Sequence, residues 1–192
     1  MQIENTATFC PESVDAWRQW LLKNHLVKSS VWLVYYKKKS KMPSITWSEA
    51  VDQALCFGWI DSTSKPIDDD KYMQFFSKRK PNSVWSKINK LKIEQLIHAN
   101  LMADAGLKSI AIAKQNGSWT ILDEVEALII PPDLDIAFKK YAGAKEYFLS
   151  QSASIKKAML QWLVLAKKTE TRQKRIEEIA MLAGQHVKPK QF

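Results

Sequence analysis

One helix of this chain is marked at both ends, and a strand pattern follows it directly. Thr46 and Glu49 have the T-x-x-E spacing of a capping box, in which each side chain accepts a hydrogen bond from the other residue's backbone N–H. Val51 and Leu55 repeat at helical spacing, and Gly58 stands where a glycine commonly ends a helix. We therefore expect a helix over residues 46–58 that buries one face and then turns sharply into the next element.

The segment after Gly58 predicts a β-hairpin. Two runs of strand character, WIDSTSKPI at 59–67 and KYMQFFSKRK at 71–80, flank an acidic turn at 68–70. Because side chains alternate along a strand, Trp59 and Asp61 share one face. Another strand is predicted from SSVWLVYYKKK at 29–39. Since both of its faces are apolar, we expect it to be central in the sheet or covered on both sides.

Helical spacing dominates the chain from residue 81 onward. Ser86 is a suitable N-cap, Asn116 and Gly117 close a later helix, and Pro132 opens another. The predicted fold class is α+β and helix-rich, with a small antiparallel sheet that contains the hairpin in the N-terminal half and a helical C-terminal part. We expect a single compact domain over 1–192, divided into an α+β part over 1–120 and a helical part over 131–188.

Positive charge is concentrated in blocks. The formal net charge is +9, and seven basic residues with no acid lie between Asp15 and Glu49, as they do between Asp70 and Glu94. Such blocks attract acidic protein partners, small anionic ligands and, without specificity, nucleic acid, whose binding would weaken steeply with salt. The alternative is a lysine-rich surface that serves only solubility.

Several classes of protein are not favoured by this sequence. Its first thirty residues lack the basic and apolar segments of a signal peptide, and no apolar run approaches membrane-spanning length, so we expect a cytoplasmic protein without membrane insertion. The two cysteines are far apart, which does not suggest a disulfide framework. Cys56 falls in the last turn of the capped helix, where the helix dipole disfavours a thiolate, so we predict a buried and inert thiol.

A search for catalytic and cofactor motifs is negative. The five glycines form no dinucleotide fingerprint, P-loop or nucleophile elbow, and the three histidines show no zinc-ligand spacing. We therefore expect no cofactor and no metal site.

A set of motifs in fixed order nevertheless resembles a known family. ALCFGWID, an acidic turn, FSKRKPNSVWSKIN, GLKSIAIAKQNGSW and KKTETRQKRIEEI follow one another along the chain. Together they resemble the YdeI/OmpD-associated family, a bacterial group also called bacteriocin-protection proteins, from Phe9 to about Gly184. Family proteins usually have threonine or serine where this chain has Cys10, and often glycine where it has Ser62.

The resemblance implies an α+β core, a helical C-terminal part and a role in bacteriocin protection, the envelope or stress. It brings no catalytic residues. The motif positions present in this chain are Cys56, Gly58, Trp59, Asp61, Arg79, Trp85, Ser86, Asn89, Thr171, Arg172 and Arg175.

Two hypotheses of function follow. The first is a non-enzymatic module that binds an acidic partner or a small anionic ligand. The second is an enzyme of unknown reaction with a cleft whose residues supply aromatic walls, a carboxylate, a guanidinium and an amide: Trp59, Asp61, Arg79, Trp85 and Asn89. Within that set we expect Asp61 and Arg79 to meet across the hairpin, either as a structural ion pair or as part of a site.

Overall fold

The computed structural model describes residues 7–192, which form two compact units. The first unit contains the chain up to Ser83 together with Ile88–Trp119, and the second contains Val84–Lys87 with Thr120–Phe192. The α+β, helix-rich class is confirmed, with the sheet in the N-terminal half and helices in the C-terminal part. The division of a single domain into parts over 1–120 and 131–188 stays a prediction.

The first unit contains a sheet with helices around it. Its elements in chain order are β1 (Thr8–Phe9), α1 (Val14–Asn24), β2 (Ser30–Tyr36), a short 3₁₀ helix (Lys38–Ser40), α2 (Trp47–Cys56), β3 (Trp59–Pro66), β4 (Lys71–Lys78), α3 (Lys87–His98, whose first residue belongs to the second unit) and α4 (Asp104–Gln115).

The sheet has the strand order β1-β2-β4-β3 in the part of the chain that the structure describes. The predicted hairpin is confirmed as the antiparallel pair β3–β4, and β2 is central, antiparallel to β4. No sequence pattern predicted β1, because a strand of two residues is too short to show alternation. It pairs with β2 in parallel, so the sheet is mixed rather than wholly antiparallel.

Aromatic rings fill the space between the sheet and α1. The indole of Trp17 meets the ring of Phe76 on β4 at 5.6 Å and that of Trp20 at 5.2 Å, and Trp20 in turn contacts Trp59 on β3 at 5.8 Å. Trp17 also donates from Nε1 to the carbonyl of Ala50, 3.1 Å away, which ties α1 to α2. This aromatic cluster holds both helices on one face of the sheet.

Helix α2 has both predicted ends. The Thr46 hydroxyl accepts from the Glu49 backbone N–H at 3.2 Å, and the Glu49 carboxylate accepts from the Thr46 N–H at 2.8 Å, which confirms the capping box. Gly58 follows the helix with φ +71°, a left-handed conformation that favours glycine. The chain can therefore leave α2 and enter β3 within a two-residue turn.

Helix α4 approaches the end of α2 at backbone contact distance. The Ala103 N–H donates to the Cys56 carbonyl at 3.0 Å, and a Cβ added to Gly106 would stand 2.2 Å from that same carbonyl oxygen. Only a residue without a side chain fits there. The contact fixes α4 against the joint between α2 and β3.

The second unit consists of helices in the described part of the chain. They are α5 (Asp123–Glu126), α6 (Pro132–Phe138), α7 (Ala144–Ser150), α8 (Ala153–Val164) and α9 (Thr169–Gly184). Their apolar faces share one core, with Leu134, Phe148, Leu163 and Ile179 almost wholly buried.

Two arginines of the motif TRQKR stabilise this bundle by different contacts. Arg172 holds the Asp133 carboxylate with a fork of two hydrogen bonds, from Nε at 2.7 Å and from Nη2 at 2.9 Å, and this contact lowers the pKa of Asp133. Arg175 instead donates to the carbonyl of Trp162 near the end of α8 and lies over the indole at 4.8 Å. The motif therefore has a packing role in the second unit.

We expect Gly106→Ala to lower the free energy of unfolding of the first unit by about 3 kcal/mol or more, because the new methyl group meets backbone that cannot move aside. Gly117→Ala is the control: no atom lies within 4 Å of its added Cβ, so only its φ of +79° opposes the change, at about 1–2 kcal/mol. Urea unfolding followed by tryptophan fluorescence compares the two. Equal losses would contradict the close approach of α4.

The two thiols should differ in reactivity. Cys56 is fully buried and Cys10 is exposed, and burial raises the pKa of Cys56, although the neighbouring Arg18 opposes that shift. We expect Ellman's reagent to modify Cys10 in the native protein and Cys56 only after unfolding. A Cys10→Ser variant is the control. Rapid labelling of that variant in its native state would contradict an inert Cys56.

Candidate functional site

The predicted site residues of the hairpin do not all lie at a surface. Trp59 has no exposed area: its ring lies in the aromatic cluster and its Nε1 donates to the His25 carbonyl at 3.4 Å. Asp61 is half-buried on the same face of β3. The sequence therefore predicted the shared face correctly, but Trp59 is part of the core of that face.

The expected pairing of Asp61 with Arg79 is wrong. Asp61 faces Phe76 in the register, and its Oδ2 accepts from the Trp47 indole at 2.8 Å and from the Gln74 amide at 3.0 Å. Continuing the pairing of Ser64 with Gln74 for three residues would set Asp61 opposite Ser77. The bulge between Asp61 and Ser64 shifts the register one residue further from Arg79, the opposite direction from the one the pairing requires.

Arg79 directly follows β4 and lies opposite Gly58, beyond the start of β3. Its backbone N–H donates to the Gly58 carbonyl at 2.9 Å. Burial lowers the pKa of its guanidinium to about 10, and the charge of Asp61 opposes that shift. The two charges therefore interact through space without the bidentate contact that we expected.

The remaining two predicted residues, Trp85 and Asn89, belong to different units. Trp85 is 1% exposed and belongs to the second unit, whereas Asn89 is half-buried in the first turn of α3 and belongs to the first. A cleft made of all five residues stays a prediction.

The structure shows a groove in the first unit that the sequence did not predict. It lies where β2 ends and α2 begins, and it has a volume of about 440 Å³. Its walls combine aromatic rings, two lysines and a methionine: Tyr36, Lys37, Lys38, Met42, Trp47 and Tyr72. Pockets of this size commonly hold small ligands.

Trp47 is the most exposed aromatic wall of this groove. Its side chain is 48% exposed although it is the first residue of α2, and its indole N–H is fixed by the Asp61 carboxylate. An exposed tryptophan with a fixed ring loses little conformational freedom when a ligand stacks on it. Asp61 is thus a positioning residue for the groove and not one of its walls.

The serine and threonine hydroxyls at the groove already have partners. Ser44 accepts from the Tyr36 backbone N–H, and the Thr46 hydroxyl is shared between the Glu49 backbone and carboxylate. What the walls offer to a ligand is therefore ring surface, the hydroxyls of Tyr36 and Tyr72, and ammonium charge. Such a surface recognises shape and charge more than a pattern of hydrogen bonds.

A stacked pair of tyrosines, buried Tyr35 and half-buried Tyr72, lies at this groove. The rings of Tyr35 and Tyr72 stack at 4.9 Å with an angle of 10° between their planes, and Tyr72 also lines the groove. The Tyr35 hydroxyl is buried and has no hydrogen-bond partner among the described residues. Burial, with the neighbouring Tyr72 and Asp61, raises the pKa of Tyr35 far above its ordinary value. The groove therefore adjoins one buried hydroxyl group of the core, that of Tyr35.

Some signal for this groove was present in the sequence. Tryptophan directly after a helix cap, and two tyrosines before a run of lysines, put ring surface and charge at element ends. The sequence could not show that the two ends meet, because that depends on how α2 lies along β3.

Comparison with known families gives two matches, one in each half of the chain. Residues 9–109, more than half of the 192, match the family model described as "Domain of unknown function (DUF8412)". The chain belongs to this family. Residues 127–186 match the model described as "Bacteriocin-protection, YdeI or OmpD-Associated".

The second match confirms the resemblance for the helical segment. The motifs ALCFGWID and FSKRKPNSVWSKIN fall within the family model over 9–109. The groove residues lie in the same range. No curated protein and no solved structure matches the chain.

Two further structural findings bear on the site. Among residues 7–192, no helix has both the length and the apolar character needed to cross a membrane. Within the same range, no cluster of histidine, cysteine and acidic side chains has an arrangement that could hold a metal ion.

Replacing Asp61 tests its role in fixing Trp47. We expect Asp61→Ala to lower the free energy of unfolding by about 1–3 kcal/mol, because the Trp47 indole N–H loses its acceptor and the buried Gln74 amide keeps only the Ser62 carbonyl. Asp61→Asn keeps one oxygen that can accept both hydrogen bonds, so its loss should stay under about 1 kcal/mol. Urea unfolding measures both. A large loss in Asp61→Asn would show that the negative charge, and not the acceptor, is what the site requires.

Proposed function

We propose that the first unit is a binding module for a small aromatic anion, which it holds in the groove between the end of β2 and the start of α2. The observation that carries this proposal is the half-exposed Trp47 indole, fixed by Asp61 at the edge of a groove that also presents Lys37 and Lys38. We further propose that the whole chain has a role in bacteriocin protection, which the match of residues 127–186 to the bacteriocin-protection model supports.

Ring surface supplies the first part of the recognition. Tyr36, Trp47 and Tyr72 present three aromatic side chains to a groove of about 440 Å³. A planar ligand that stacks on such rings gains about 0.5–1.5 kcal/mol per good contact beyond the burial of its area. Since the serine and threonine hydroxyls nearby are engaged within the protein, stacking on these rings is the main attraction for an uncharged part of the ligand.

Charge supplies the second part. Lys38 is exposed at the groove, and the ammonium of Lys37 donates to the Asp68 carbonyl at 2.9 Å, which keeps its charge but restricts its position. A carboxylate or phosphate on the ligand would meet both. The net charge of +9 also raises the encounter rate with anions, an effect that salt weakens.

A binding module is favoured over the enzyme with a five-residue cleft. Trp59 has no exposed surface with which to line a cleft, and Asp61 is engaged by Trp47 and Gln74. The one hydroxyl of the groove that contacts a carboxylate in the described structure is that of Thr46, and it is used in the capping box with Glu49.

Calorimetric titration with naphthoate, an aromatic carboxylate, tests the proposal against naphthalenemethanol, its uncharged counterpart. We expect naphthoate to bind, Trp47→Ala to weaken it about tenfold through lost stacking, and Lys38→Gln to weaken it about fivefold through lost charge. Lys39→Gln is the matched control, because Lys39 is exposed in the same 3₁₀ helix but does not line the groove. Equal effects at Lys38 and Lys39, or no binding at millimolar naphthoate, would contradict the proposal.

A further inference from the structure

A second groove adjoins the first. It has a volume of about 630 Å³, and Tyr36 and Met42 line both grooves. Lys38 lines only the first groove, whereas the aspartates of the β3–β4 turn line only the second. A ligand that extends across Tyr36 and Met42 would therefore pass from a basic wall to an acidic one.

The acidic wall has carboxylates that can contact a ligand. Asp68 is used within the turn: its Oδ1 accepts from the backbone N–H groups of Asp70 and Lys71, which lowers its pKa, and its Oδ2 lies 3.4 Å from the Lys71 ammonium. Asp69 and Asp70 are exposed, and in the described part of the chain no side chain pairs with their carboxylates. Lys71 also lines this groove, but its ammonium lies against the Asp68 carboxylate, so the charges of Asp69 and Asp70 remain for a ligand.

One backbone hydrogen bond and one side-chain hydrogen bond hold the two walls in a fixed relation. The Lys37 N–H donates to the Asp70 carbonyl at 2.7 Å, and the Lys37 ammonium donates to the Asp68 carbonyl at 2.9 Å. The Tyr36 ring between the walls is covered by the Lys71 ammonium at 5.8 Å. The polarity of the double groove is thus a property of the folded hairpin and not of mobile side chains alone.

From this polarity we infer that the occupant of the double groove is a short peptide segment with an aromatic side chain between an acidic and a basic residue. The inference rests on the proposed function, whose groove forms the basic half. The acidic residue would face Lys38, the aromatic side chain would lie over Tyr36 and Met42, and the basic residue would face Asp69 and Asp70.

Charge complementarity favours a dipolar peptide over uniformly charged peptides and nucleic acid. A uniformly acidic peptide is repelled by Asp69 and Asp70, and a uniformly basic one by Lys37 and Lys38. A nucleic acid carries negative charge along its whole length, so it would have to cross the acidic turn. A dipolar peptide meets an opposite charge at each end, and its aromatic side chain contacts the shared centre.

The test compares three blocked tripeptides at low salt by calorimetry: acetyl-Glu-Phe-Lys-amide, acetyl-Glu-Phe-Glu-amide and acetyl-Lys-Phe-Lys-amide. We expect the dipolar peptide to bind at least about fivefold more tightly than either of the others, since each end charge contributes as an exposed pair does. In the double variant Asp69→Asn/Asp70→Asn, we expect the advantage of Glu-Phe-Lys over Glu-Phe-Glu to disappear.

The control variant removes two exposed acids elsewhere in the first unit. Glu12→Gln/Asp15→Asn changes the net charge by the same amount, and neither residue lines the double groove. We expect it to retain the full preference for the dipolar peptide. If it loses the preference as the groove variant does, the effect is one of net charge, and the inference is overturned.

The outcomes separate this inference from the proposed function. Naphthoate binding with no preference among the peptides would overturn the peptide class and leave the aromatic-anion groove standing. Absence of binding by naphthoate and by all three peptides would overturn both. Tighter binding of an oligothymidylate than of the dipolar peptide would overturn the peptide class in favour of nucleic acid.

Discussion

The turn at Gly58 is the constraint on which the rest of the first unit depends. Because this residue has φ +71°, the chain leaves α2 and enters β3 without a loop, and α2 lies back along the strand. The same turn receives a backbone hydrogen bond from Arg79, and the preceding carbonyl of Cys56 receives one from Ala103. Helix α4, strand β4 and helix α2 therefore meet at one short stretch of backbone.

The groove lies at the opposite end of α2 from the Gly58 turn, and its position depends on that turn. Since α2 runs antiparallel to β3 from a fixed point, its first residue, Trp47, comes to lie beside Asp61. The capping box holds the first turn, and the Asp61 carboxylate holds the indole. The end of β2 supplies Tyr36 and the lysines opposite. A binding surface thus forms from residues whose own elements are stabilised by ordinary capping, pairing and packing.

Charge in this protein is more local than the net value of +9 suggests. Two lysines of the second basic block have partners within their own unit: Lys92 pairs with Asp52 at 2.5 Å, and Lys71 lies 3.4 Å from Asp68. The acidic turn of the hairpin lies next to Lys37, in the middle of the block that the sequence presents as wholly basic. A polar arrangement of both signs is therefore available at the double groove, and such an arrangement can select a partner where a uniform field only attracts one.

The sequence by itself determined the elements whose signals are local. The capping box, the left-handed Gly58, the hairpin around the aspartate turn and the burial of Cys56 all follow from residues close together in the chain, and the structure has each of them. The tertiary structure decided what depends on register and on distant contacts. A bulge between Asp61 and Ser64 moved Asp61 one residue further from Arg79, its carboxylate binds the Trp47 indole, and no count of residues from the turn can locate a bulge. The parallel strand β1, the close approach of Gly106 and the meeting of Tyr36 with Trp47 likewise join residues far apart in sequence. The physical reason is that hydrogen-bond capping and turn conformation act over a few residues, whereas a groove exists only where separate elements pack.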